Sequence, residues 1–245
     1  MVLRFGAITA KQVIEQVANN DAKLTTLDLT KSASFCMKSA DNTLALCEAL
    51  KRNTVIKTVV LRECEIVDAG AQALAEVLAA NQTIEELDLQ SNRISTNGAI
   101  SLAEGLAKNT SVHTLNLMDQ SQKVLGEEAL ERFISMFEDN ATLTKVMWKV
   151  DSRRAWEMAK LITRNVEIQR RAAAGDPIDH LLPPKLKGVA VKLRGGAVPS
   201  RAAPAAAPAP AEDKEAAVAA KKAEEERLAK EAAKKAEGAA LAAKK

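Results

Sequence analysis

The feature that most constrains this chain is a repeat. The apolar pattern LxxLxL recurs as Leu24-Leu27-Leu29, Ile56-Val59-Leu61, Ile84-Leu87-Leu89, Val112-Leu115-Leu117 and, more weakly, Leu143-Val146-Trp148, with first positions 32, 28, 28 and 31 residues apart. A period in this range marks strand-and-helix units that each bury an apolar face only by stacking on a neighbour. Helix-period stretches follow the first four strand patterns: Leu44, Ala45, Cys47, Ala49 and Leu50; Leu74, Ala75, Val77 and Leu78; Ile100, Leu102, Ala103 and Leu106; Leu125, Ala129, Leu130, Phe133 and Phe137. Three of them begin near Gly70, Gly98 or Gly126. Asn53, Asn81, Asn109 and Asn140 each stand three residues before the next strand pattern. An asparagine there is expected to end the helix in a left-handed conformation, so that the chain reverses.

The two central copies extend to Val59-x-Leu61-x-x-Cys64-x-Ile66 and Leu87-x-Leu89-x-x-Asn92-x-Ile94. This is the longer leucine-rich-repeat signature, in which Asn or Cys turns inward to bond the loop backbone. Cys64 thereby has a structural place rather than a reactive one. The expected fold is α/β: a ribonuclease-inhibitor-like leucine-rich-repeat solenoid of about five β-α repeats, with a curved parallel sheet inside and helices outside. Its ends need caps, and residues 8–17 read as an N-terminal capping helix with Thr9 as N-cap, Arg154 to Arg171 as the last helix. The expected organisation is a capping segment 1–23, a repeat domain 24–174 with its C-terminal capping helix, a proline-rich basic linker 175–211, and an Ala/Lys/Glu-rich tail 212–245 forming an isolated helix or remaining disordered.

Composition matters mainly at the end of the chain. The apolar content of 47% would suggest a generous core, yet twenty of the 44 residues from Ala202 to Lys245 are alanine, so the core must lie earlier. A net charge of +3 over 35 basic and 32 acidic residues gives no global case for nucleic acid or membrane binding. Between Arg170 and Arg201 seven cations face only Asp176 and Asp179, a local excess and a candidate contact surface. Cys36, Cys47 and Cys64 form no CxxC pair, and His113 and His180 lie apart from them, so neither a disulfide framework nor a zinc site is expected. No nucleophile-base constellation, phosphate loop or metal spacing can be assembled, so no catalytic, cofactor or metal residues are expected. The start of the chain lacks the apolar run of a signal peptide, and a reduced cytoplasmic setting is expected. His113, between Val112 and Leu115, is expected on the concave face.

Several stretches go beyond periodicity. Asn20-Asp21-Ala22-Lys23-Leu24 enters the first strand, Leu46-Cys47-Glu48-Ala49-Leu50-Lys51-Arg52-Asn53-Thr54 closes the first unit, and Asn92-Arg93-Ile94 precedes Gly98. In the fourth unit stands Asp119-Gln120-Ser121-Gln122-Lys123-Val124-Leu125-Gly126, then Met136-Phe137-Glu138-Asp139-Asn140, and finally Arg154-Ala155 through Ile162-Thr163-Arg164-Asn165. In these runs the chain resembles the tropomodulin and leiomodin family, whose C-terminal domain is a short five-repeat leucine-rich domain. They look like that family's NDPxL entry (with Ala22 for proline), FAEALKxNT, SNFITGxG, DNQRQxLG, MLEEN and RAAxAITxNND stretches, over about residues 10 to 172.

The resemblance implies actin as partner and a cytoskeletal location. Family members also carry tropomyosin-binding helices ahead of the repeats; here the repeats open almost at once, and tropomyosin contact is not expected. Val150-Asp151-Ser152-Arg153-Arg154 lacks the family's Gly-Pro turn. His180 to Val189 faintly resembles the Leu-Lys-Lys-Thr/Val element of actin-monomer-binding motifs, but it reads more readily as a solvated basic linker. The expected function is thus a non-catalytic, monomeric actin-binding module acting on filament pointed ends or on assembly. Arg153, Arg154, Arg164, Arg170, Arg171, Lys185 and Lys187 are the expected contacts, because guanidinium groups form bidentate pairs with carboxylates on an acidic surface. The alternative is a scaffold of another cytoskeletal or axonemal assembly that binds a protein through its concave face, at Asp88, Asn116 and Lys145.

Overall fold

The computed structural model describes residues 2–4, 9–121, 124–188, 191–193 and 196–198, with side chains over 9–121 and 124–188. Ile8, expected in the capping helix, Gln122 and Lys123 of the fourth-unit run, and the 212–245 tail lie outside them.

Short strands stack side by side in chain order, all parallel: β1 (Val2–Arg4), β2 (Thr26–Asp28), β3 (Thr58–Val60), β4 (Glu86–Asp88), β5 (Thr114–Asn116) and β6 (Lys145–Met147). The register does not slip, with Leu27 beside Val59, Val59 beside Leu87, Leu87 beside Leu115 and Leu115 beside Val146. Alternation then sends every middle residue to the core and its neighbours to the open face. The leucine-rich-repeat solenoid read from the period is therefore the fold. β1 is an addition that the period did not announce, for it carries no LxxLxL pattern; it pairs Leu3 with Leu27 and lies along that edge.

Helices α1 (Ala10–Ala18), α2 (Ala33–Cys36), α3 (Ser39–Arg52), α4 (Asp68–Ala80), α5 (Thr96–Ala107), α6 (Glu127–Met136) and α7 (Ala155–Ala174) fill the connections. Thr9 caps α1 in a reciprocal box with Gln12. The helices press together where glycines allow it. At Gly105 an added Cβ would stand 2.4 Å from the Ala75 carbonyl oxygen of α4.

The periodic asparagines do not take the left-handed conformation expected of them. Asn53 and Asn81 are extended, at φ −76° and −90°. Their role lies in the side chains, which form a buried ladder between units. Asn81 Nδ2 donates to the carbonyls of Leu50 and Asn53, both at 2.7 Å. Asn109 donates to Leu78 and Asn81, and Asn140 to Leu106 and Asn109. Each Oδ1 accepts from the two N–H groups that lead into the following strand, as Asn109 does from Ser111 and Val112. An amide side chain matches this mixed demand because it offers two donors and an acceptor at once. Left-handed residues do occur, once just past α1 at Asn20 (φ 54°) but otherwise past the opposite ends of the strands, among them Lys31, Glu63, Ser91 and Asp119 with φ of 53°, 52°, 57° and 56°.

A second inward ladder runs through those loops. Asn92 Oδ1 accepts from the Cys64 and Ile66 N–H groups at 3.0 and 3.1 Å, while its Nδ2 donates to Leu61 and Leu89. In the next unit Gln120 takes the same part, accepting from Ile94 N–H and donating to Leu89. The Cys64 thiol donates to the Leu29 carbonyl, and burial pushes its pKa up to about 12.

The packed unit runs past the boundary expected at 174. Gly175 ends α7 in the left-handed conformation at φ 78°, after which Ile178 and Leu182 fold back, 3% and 4% exposed, onto Ile168 and Ala141. Residues first read as linker therefore close the solenoid before a short 3-10 turn at Pro184–Leu186. Beyond it β7 (Val191–Leu193) and β8 (Gly196–Val198) pair antiparallel. Among the described residues no helix is long and apolar enough to cross a membrane, and no group of His, Cys, Asp and Glu side chains is placed to hold a metal ion.

Candidate partner-binding surfaces

Two surfaces gather the residues singled out from the sequence. The first is the open face of the sheet, where Thr58 and Val60, Glu86 and Asp88, Thr114 and Asn116, and Lys145 and Met147 stand in rows with Arg62 around a shallow cavity of about 270 Å³. Asp88 is its hub. Its carboxylate accepts from Arg62 Nε at 2.8 Å, Asn116 Nδ2 at 3.0 Å and the Gln90 N–H at 3.1 Å. The carboxylate in turn raises the pKa of the Arg62 guanidinium. Asp88 and Asn116 are thus brought together and satisfy each other, whereas Lys145 is exposed and, among the described residues, free of any ion pair. His113 is not on this face. It is 6% exposed, and its Nδ1 lies 3.0 Å from the Thr142 carbonyl oxygen and 2.8 Å from Gln169 Nε2 of α7.

The second surface is α7 and the chain on either side of it. Of the arginines expected to meet a partner, most already have one. Arg154 holds Glu157 with Nε at 3.0 Å and reaches Glu131 of α6 at 2.7 Å, which raises its pKa. Arg170 and Arg171 share Glu167, at 2.8 and 2.6 Å, and their hydrogen bonds hold that carboxyl down at about 2. Lys185 sits between Asp139 at 3.2 Å and Glu138 at 3.4 Å. Arg153 and Lys187 are exposed and make no ion pair among the described residues.

Arg164 is a correction to the surface reading. Its Nη2 donates to the Phe137 and Asn140 carbonyls at 2.9 and 3.1 Å, and burial lowers the pKa of its guanidinium. With Asn165, whose Nδ2 donates to Leu143 at 3.0 Å, it ends the asparagine ladder where no further repeat supplies a partner.

The structure also adds residues that the sequence reading passed over. Trp156 is 57% exposed with Lys160 Nζ 4.6 Å from its ring centre, and Val166 is 46% exposed. Their spacing, continued through Thr163 and Arg170, puts them on the outward face of α7, opposite buried Met158, Asn165 and Ile168. A tryptophan out of phase with the buried positions of its own helix was the available signal. The arrangement is an exposed amphipathic face, aromatic at one end and cationic at the other.

Comparison with known proteins finds relatives of the repeat domain. A family profile described as TMOD/LMOD Leucine-rich domain matches residues 7–168. A solved structure described as leiomodin-1 actin-binding site 2 is 26% identical, covers 69% of this chain and 96% of its own, and superposes with a TM-score of 0.64. The tropomodulin C-terminal domain of Caenorhabditis elegans, 20% identical, covers 69% of this chain and 100% of its own with a TM-score of 0.63, a likeness of fold. No curated protein sequence matches.

Proposed function

This chain belongs to the tropomodulin/leiomodin leucine-rich domain family, and from that premise we propose that it is a non-catalytic actin-binding module of the cytoskeleton. The observation that carries the proposal is the match, over nearly the whole of that chain, to a leiomodin domain described as an actin-binding site. The finer reading is that it acts on actin assembly or filament pointed ends, as a cytoplasmic monomer. The absence of chemistry in this reading has physical support: His113 is tied to the Thr142 backbone, and burial pushes the Cys47 and Cys64 thiols up to about 12, far from a reactive thiolate.

For the contact we propose the outward face of α7, with Trp156, Lys160, Val166 and Arg170, flanked by Arg153 and Lys187. Exposed aromatic and guanidinium groups are the side chains that dominate interface energetics. Arg154, Arg171 and Lys185 contribute by holding the face in place through their own ion pairs.

Co-sedimentation of the full chain with filamentous actin, beside binding to monomeric actin, tests this. Trp156→Ala and the pair Arg153→Glu with Arg170→Glu should each weaken binding by about tenfold or more, since interface aromatics and arginines typically carry over 1 kcal/mol. Unchanged binding by both would reject the face. A second reading, a scaffold gripping another protein, is favoured by the cavity around Arg62 and Asp88; in that case Asn116→Arg, not Trp156→Ala, would abolish partner capture.

A further inference from the structure

Among the described residues β6 ends the sheet, with β5 on one side and no strand on the other. Lys145 N–H donates to the His113 carbonyl and the Met147 carbonyl accepts from Leu117, so the backbone of these two residues faces β5. Alternation along a strand turns the N–H and C=O of Val146 and Trp148 outward. No hydrogen bond among the described residues reaches them there. The side chains tell the same story. Leu27, Val59, Leu87 and Leu115 are at most 2% exposed, while Val146, which continues their row, is only part-buried, as is Trp148. Each inner strand is covered by the next one; among the described residues β6 has no next one.

The charges along this edge are also left over. Lys145 and Lys149 are both exposed, point to the open face with Met147, and have no ion pair among the described residues. Arg62, on the same open face beside an inner strand, is paired with Asp88 of the neighbouring unit. The cations of the last unit lack the acid that a following repeat would have supplied.

We propose that the β6 edge is a docking site for an extended peptide segment of a partner protein in which acidic and apolar residues alternate. Its backbone pairs with Val146 and Trp148 as an added strand. Its carboxylates, on the open side, take the place of the missing repeat's acids beside Lys145 and Lys149. Its apolar side chains, on the other side, cover Val146 and Trp148. Period-2 alternation is what the edge demands, because successive residues of an added strand meet the two faces in turn. The site lies on the sheet, apart from the outward face of α7.

The probes are two blocked heptapeptides, Glu-Val-Glu-Val-Glu-Val-Glu and its lysine counterpart Lys-Val-Lys-Val-Lys-Val-Lys, titrated against the full chain carrying Trp156→Phe so that Trp148 alone reports. The glutamate peptide should shift Trp148 emission saturably and slow amide exchange at Val146 and Trp148, and the lysine peptide should do neither. Lys145→Glu with Lys149→Glu, at exposed positions that the fold does not use, should weaken the glutamate peptide by about tenfold or more. Val146→Pro removes the outward N–H while leaving the bonds of Lys145 and Met147 to β5 intact, and should abolish the exchange protection. No binding of the glutamate peptide, equal binding of both peptides, or binding unaffected by the charge reversals would overturn the proposal. A concentration-dependent dimer that Val146→Pro abolishes would overturn it too, by assigning the edge to a second copy.

Discussion

Asn109 shows how much one side chain carries in a stacked repeat. It is fully buried and satisfies four backbone groups, two carbonyls of the preceding unit and two N–H groups of its own. Asn109→Ala would strand them away from water, at about 1–3 kcal/mol for each buried group left unpaired. The expected loss is about 3 kcal/mol or more by denaturant titration, against almost none for Asn97→Ala on the exposed start of α5. Thiol chemistry gives a second residue-scale test. Cys47 and Cys64 are buried and Cys36 is only part-buried, so an alkylating reagent should modify Cys36 first and reach the others only at the rate of unfolding. Glu167 supplies the pH dependence. Its folded pKa of about 2 lies below the ordinary 4.5, so its contribution is complete above about 4.5 and drains away as pH falls toward 2. Thermal melts in that window should show a steeper acid loss for the native chain than for Glu167→Gln.

Between elements the decisive quantity is distance. Helix propensity alone would make Gly105→Ala stabilising by up to about 1 kcal/mol. Because the new Cβ would meet backbone of α4, at 2.4 Å from Ala75 O and 2.8 Å from Ala75 Cα, which cannot rotate aside, the expected net outcome is a loss of about 2 kcal/mol. A rise in melting temperature would contradict the close packing of α4 on α5. The strands and the repeat helices were legible because LxxLxL and the 3.6-residue period both report burial, which the sequence encodes directly. The asparagine period was legible too, but its mechanism was not: a period says that a position matters without saying whether backbone or side chain does the work. β1 and the fold-back of Ile178 and Leu182 were illegible because neither repeats, and a proline-rich composition hid two buried anchors.

At the scale of the molecule, the family was readable from the fourth-unit run and the closing helix, whereas the binding surface was only half readable. A count of cations past Arg170 suggested a bare positive patch. The fold instead brings acids to three of them, Glu167 of the same helix to Arg170 and Arg171, and Glu138 and Asp139 of the neighbouring unit to Lys185. What remains free is fixed by three-dimensional pairing, which linear charge counts do not contain. The exposed Trp156 on the outward face of α7 follows from helical phase, and the open β6 edge follows from the stack having an end. The central claim is that this repeat domain binds actin through the α7 end. It is tested most directly by pyrene-actin elongation from filaments whose barbed ends are capped, with the full chain added in increasing amounts. The account expects a saturable change in pointed-end assembly that Trp156→Ala abolishes while the melting temperature stays unchanged; an elongation rate indifferent to the native chain would contradict it.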